Sequence, residues 1–142
     1  MTLKEFGILL ISKSSQRKSI SIDDVYAEKI YSALKRVGKD TVPLLLLVNS
    51  PKGQRVMRKI DDDAYIRYPR KAVDENDMID IDEALLDAVA YFVLAGMETQ
   101  RAKIYMGLYY TEIENNDAVQ IEASLTTDSA NPPNRDPDKV FE

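Results

Sequence analysis

Apolar residues recur at three- and four-residue intervals over most of this chain, and only one short stretch alternates at period two. Leu3, Phe6, Leu9 and Leu10 follow Thr2 and Glu5, which stand at the T-x-x-E spacing of a capping box, so a short helix is predicted over residues 3–13. Gly7 and the apolar run 8–11 would also suit a strand. The polar stretch 12–19, with Lys13, Arg17 and Lys18, reads as a linker. Ser21 and Asp24 give a second start signal, after which Ile22, Val25, Tyr26, Ile30, Ala33, Leu34 and Val37 share one face. A helix over about 22–37 follows, closed by Gly38.

The run 42–48, Val-Pro-Leu-Leu-Leu-Leu-Val, has no period. Pro43 suits a first helical turn and leucine favours helix, so a short buried helix is expected there, with a buried strand as the alternative. Residues 54–69 change character: two arms flank the acidic turn Asp61-Asp62-Asp63, and the second sets Tyr65 and Arg67 against Ile66 and Tyr68. That alternation predicts an antiparallel hairpin ended by Pro69, followed by a charged loop over 70–77. Asp80 and Glu83 then cap a helix carrying Ile81, Ala84, Leu85, Ala88, Val89, Phe92 and Val93 to about Gly96. Thr99 caps a last helix with Ala102, Tyr105, Met106, Tyr109 and Ile113 on its face, closed by Asn115-Asn116. Two such helices with a short connection pack as a hairpin. Residues 118–142 are too poor in apolar side chains to form a core and read either as a free terminus or as an extended arm that orders on a partner, and the arm is the reading adopted. The expected fold is therefore mainly α: a small helical bundle over 1–117 with a β-hairpin insertion at about 54–69, and a C-terminal arm over 118–142.

At 142 residues, 44% hydrophobic and 30% charged, the chain has the make-up of one soluble globular domain. It has no cysteine and no histidine, which excludes disulfides, thiolate nucleophiles, Cys/His zinc sites and histidine acid–base chemistry within the chain. No stretch has the form of a signal peptide and 44–48 is too short to span a bilayer, so use in the cytoplasm, away from membranes, is expected. The net charge of −5 disfavours a general nucleic-acid binder.

The remaining candidate chemistry is carboxylate and cation clusters. The acidic run 74–87 fails as an EF-hand loop, because Met78 and Ile79 stand where an oxygen ligand and Gly are needed counting from Asp74, and Ala84 stands at position five counting from Asp80. It reads instead as a solvated loop and an acid-rich helix start. Asp61, Asp62 and Asp63 diverge on a turn and read as a polar tip. The chain contains no Gly-rich phosphate loop, G-x-S-x-G or H-E-x-x-H. No enzyme activity, cofactor or metal site is expected. Lys52, Arg55, Arg58, Lys59, Arg67, Arg70 and Lys71, interleaved with Tyr65 and Tyr68, gather around the hairpin. They suit an electrostatic protein interface or a solvated surface better than nucleic-acid contact. In the arm, Ile121, Leu125, Pro132, Pro133, Arg135, Val140 and Phe141 are the candidate anchors to a partner.

Three segments, RKIDDDAYIRYP at 58–69, IDIDEALLDAV at 79–89 and RAKIYM at 101–106, give the chain over roughly 20–116 an arrangement that resembles the head-to-tail adaptor (connector) proteins of tailed bacteriophages. The resemblance implies a structural virion protein of the neck, assembled in the host cytoplasm as a homo-oligomeric ring, a dodecamer, between portal and tail. The arm would dock on the portal protein or a neighbouring subunit. The hairpin residues Arg55, Arg58, Lys59, Asp61, Asp62, Asp63, Tyr65 and Arg67 would face an adjoining tail or neck protein or the DNA channel, with only passive contact to DNA. Two other classes stay open on the residues alone. One is a small acidic helical binding protein, an immunity protein or antitoxin neutralising a basic partner. The other is a metal-dependent enzyme using the carboxylates of 61–63 and 74–82.

Overall fold

The computed structural model describes residues 1–16 and 19–129, with side chains to Asn116; Arg17, Lys18 and 130–142 lie outside the described residues. Helix α1, Leu3–Lys13, begins at the expected box: the Glu5 N–H donates to Thr2 Oγ1 at 3.2 Å and the Thr2 N–H donates to Glu5 Oε1 at 3.0 Å. It buries Leu3, Phe6 and Leu10. The start of the chain is also stapled to the loop before the third helix, with Leu3 N–H donating to the Asp77 carbonyl and Ile79 N–H to the Met1 carbonyl.

Helix α2, Asp24–Asp40, starts two residues later than the sequence predicts and runs past Gly38. Asp23 rather than Ser21 is the cap, accepting from the Tyr26 N–H at 2.9 Å. Gly38 does not end the helix because Arg58 reaches across and donates to the carbonyls of Gly38 (3.0 Å) and Thr41 (2.7 Å), satisfying acceptors that a helix end leaves open. A Cβ at 38 would sit 2.5 Å from the terminal methyl of Met57, an overlap that the flexible end of that side chain relieves by turning away.

The leucine run is the clearest departure from expectation. It forms one 3₁₀ turn, Leu44–Leu46, and then a two-residue strand β1, Leu47–Val48. Of its leucines only Leu46 is buried; Leu44 and Leu45 are 58% and 52% exposed, so this is not a buried helix. The hairpin supplies the reason. Strand β2, Val56–Asp61, and strand β3, Ala64–Arg67, pair as predicted, and the free edge of β3 takes β1 as an antiparallel third strand in the order β1-β3-β2. Two register shifts bend β2 along β3. Ile66 and Leu46 then close on the end of α2 beside Gly38.

After the loop, a 3₁₀ turn, Glu83–Leu85, leads into α3, Leu86–Met97. Asp80 lies outside this helix and does not cap it; its partner is Arg67 in β3. Helix α3 is apolar nearly all round, burying Leu86, Ala88, Val89, Ala90, Val93, Leu94 and Ala95, which suits its place at the centre against α1, α2 and α4. A second 3₁₀ turn, Thr99–Arg101, in which Thr99 makes no side-chain cap, joins it to α4, Ala102–Ser129. The expected helical hairpin is present, with Tyr91 stacked on Tyr105 (6.5 Å) and Phe92 against Tyr109 (5.5 Å). Asn115-Asn116 does not close α4: the residues that follow, among them Ala118, Gln120, Glu122 and Ala123, are mostly tolerant of helix, and neither Gly nor Pro intervenes before Pro132. The molecule is mainly α with a small three-stranded antiparallel sheet.

Candidate functional site

The hairpin cations divide into two groups once folded. Arg58 and Arg67 turn inward. Arg58 holds the end of α2, as above, and Arg67 makes a two-pronged pair with Asp80, at 2.6 and 2.9 Å, while also donating to the Leu45 carbonyl. The pair is largely enclosed, with the two side chains 15% and 12% exposed. Asp80 accepts a further bond from the Arg70 N–H at 2.7 Å. Burial alone works against the Asp80 charge, but the bonds from Arg67 and Arg70 and their nearby positive charges outweigh it and hold the carboxyl below its ordinary value.

The other group stays at the surface. Arg55 lies 5.0 Å over the Tyr68 ring and Lys59 lies 6.0 Å over Tyr65. Lys59 also meets Asp62 at 3.4 Å, and Tyr65 Oη donates to the Asp62 carbonyl. At the tip the Asp61 carboxylate accepts from the Asp63 N–H at 2.9 Å, an Asx turn that accounts for an acid at that position. Asp61, Asp62 and Asp63 are exposed.

The acidic run 74–87 is used structurally. The Asp77 carboxylate accepts from the N–H groups of Asp74 and Val73, which hold its carboxyl below the ordinary value. Asp82 accepts from the N–H groups of Leu44 and Leu45, each at 2.6 Å, and so caps the 3₁₀ turn on the far side of the loop. Among the described residues, no group of three or more acidic side chains is placed to hold a metal ion. Likewise, among them no helix is long and apolar enough to cross a membrane.

Of the arm residues, Ile121 and Leu125 stand on the backbone of α4, and Pro132, Pro133, Arg135, Val140 and Phe141 lie outside the described residues.

Two surfaces and one buried acid escape sequence reading. The first surface is apolar: Leu44, Leu45 and Leu47 remain exposed along β1 and the turn before it, and Met78 is 63% exposed. The second is a groove of about 420 Å³ between α2 and α3, floored by Val25, Phe92, Val93 and Gly96 and rimmed by Asp24 and Lys29. Val25 carried a signal, since it sits in the apolar repeat of its helix, yet it is 63% exposed. The buried acid is Glu98, in the turn between α3 and α4. It accepts from Tyr105 Oη (2.6 Å), Ser15 Oγ (2.7 Å) and Ser14 Oγ (3.2 Å), fastening the segment after α1 to the α3–α4 turn. Burial opposes its charge, but these donors prevail and hold the carboxyl below its ordinary value. No family model, curated protein or solved structure matches this chain.

Proposed function

We propose that this protein is a structural subunit of a tailed-bacteriophage neck, closing with copies of itself into a ring between portal and tail. The observation that carries the reading is the division between polar groups committed to contacts within the fold and apolar ones left exposed. Asp80, Asp82, Glu98, Arg58 and Arg67 are each engaged in joining one segment to another, which gives each of them a role in holding the fold. Leu44, Leu45, Leu47 and Met78 are meanwhile left outside, where a partner surface would cover them. The resemblance of segments 58–69, 79–89 and 101–106 to connector proteins supports the same reading, and the mainly helical body with a projecting hairpin is compatible with it. In this arrangement the contacts between subunits are heterologous and close on themselves.

Native mass measurement of the purified full chain tests the proposal. A ring predicts a discrete species at the mass of a dodecamer or a neighbouring ring size, and co-purification with a portal protein. A monomer that forms a tight one-to-one complex with a basic protein would replace this reading with that of a neutralising binding protein.

A further inference from the structure

The groove between α2 and α3 is an open apolar surface whose rim carries charges of both signs. Its floor is Val25, Phe92, Val93 and Gly96. A side chain built on Gly96 would meet nothing within 4 Å, so the floor is open at that point. At the rim, Asp24 and Lys29 form no ion pair among the described residues, whereas Glu28 beside them is engaged by Lys71. The surface thus presents carbon flanked by one free anion and one free cation.

The chain itself carries a complementary segment. Beyond α4 the only large apolar side chains are Val140 and Phe141, and they are bracketed by Lys139 and Glu142. We infer that Val140 and Phe141 of one copy dock in the α2–α3 groove of the next, with Lys139 against Asp24 and Glu142 against Lys29. An aromatic anchor in an apolar pocket with a charged rim is the usual energetic centre of such an interface.

Reach favours a second copy over the chain's own groove. Phe92 in the floor packs level with Tyr109 of α4, and the helix runs on from Tyr109 to Ser129, about 30 Å further along its axis. The stretch from Ser129 to Val140 spans at most about 36–40 Å when fully drawn out. Folding back to its own groove would use almost all of that length, whereas a neighbour placed beyond the end of α4 receives the segment without it. Groove and segment lie at different places on one chain, so the contact is head-to-tail and closes a ring when the rotation between copies allows. The inference rests on the ring reading above and names the contact that would hold it.

The test uses the full chain and two variants. Gly96→Trp fills the groove at an exposed helical position, and Phe141→Asp removes the anchor. Native mass is measured for each alone and for an equimolar mixture, with circular dichroism and thermal unfolding confirming the fold. Each variant alone should associate more weakly than the parent by about tenfold or more. The mixture should form one-to-one pairs, because one variant keeps an intact arm and the other an intact groove. An assembling parent whose variants assemble equally well would overturn the groove contact and leave the ring reading standing. A parent that is monomeric at every concentration would overturn both.

Discussion

Replacing Asp80 separates two roles that this residue could have by its position in the sequence. As the cap of a helix it would contribute about 1 kcal/mol. As the enclosed partner of Arg67 it contributes more, because its loss strands a guanidinium that is only 15% exposed and removes the acceptor of the Arg70 N–H. Breaking a buried pair from one side costs about 3–5 kcal/mol, and the partial solvent access here places Asp80→Ala near the lower end, at about 3 kcal/mol. For a chain of 142 residues that corresponds to a fall in Tm of roughly 10 °C. Urea unfolding at neutral pH of Asp80→Ala, Arg67→Met and the double variant measures it. The two single losses should not add: with both partners gone no charge is left stranded, and a coupling of about 1–3 kcal/mol is expected. The pH dependence has a definite sign. The Asp80 carboxyl is held below its ordinary 3.8, so the pair's contribution is complete above about pH 4–5 and is lost as pH falls through the folded value. A loss of about 1 kcal/mol that adds independently to that of Arg67→Met would refute the assignment.

Two further substitutions test the other long-range carboxylates. Asp82→Ala removes the acceptor shared by the Leu44 and Leu45 N–H groups and should cost about 1–2 kcal/mol, with faster amide exchange at both residues; unchanged exchange there would count against the cap. Glu98→Gln weakens three bonds to a buried acceptor and should cost about 2 kcal/mol at neutral pH. Because the Glu98 carboxyl is also held below its ordinary 4.5, the cost should shrink as pH falls through the folded value, and an acid-unfolding series of parent and variant measures the difference.

The sequence was most legible where burial repeats on one helical face. The Thr2–Glu5 box, the apolar stripe of α2 apart from Val25, the α3–α4 hairpin with Phe92 against Tyr109, and the β2–β3 pairing all follow from local pattern. What escaped reading has a common cause, which is that the deciding partner is distant in the chain. Asp80 and Glu83 have cap spacing, but Arg67 in a strand takes Asp80 away. Gly38 has the look of a helix end until Arg58 from the sheet satisfies the carbonyls around it. The leucine run has no period, and its conformation is set by the open edge of β3 and by Asp82 on the far side of the loop. The α2–α3 groove exists only once two helices are placed side by side, so Val25 reads as core from spacing and lies at the surface in the fold.

The same long-range pairing changes what the hairpin presents to a partner. Counted along the chain, its cations form a basic patch; counted in space, Arg58 is on backbone carbonyls, Arg67 on Asp80 and Lys71 on Glu28. Lys59 is paired with Asp62, which leaves the tip dominated by Asp61, Asp62 and Asp63. A hairpin of that kind has an acidic end carried on a basic and aromatic stem. In the ring reading, such a tip facing the DNA channel repels phosphate and lets the duplex pass without holding it. Facing an adjoining ring, it would instead select a basic surface and set the register of docking. Either way the inward-turned arginines act on the hairpin's position rather than on the partner, so replacing them should disturb the fold, while replacing the three tip acids should disturb only what the hairpin meets.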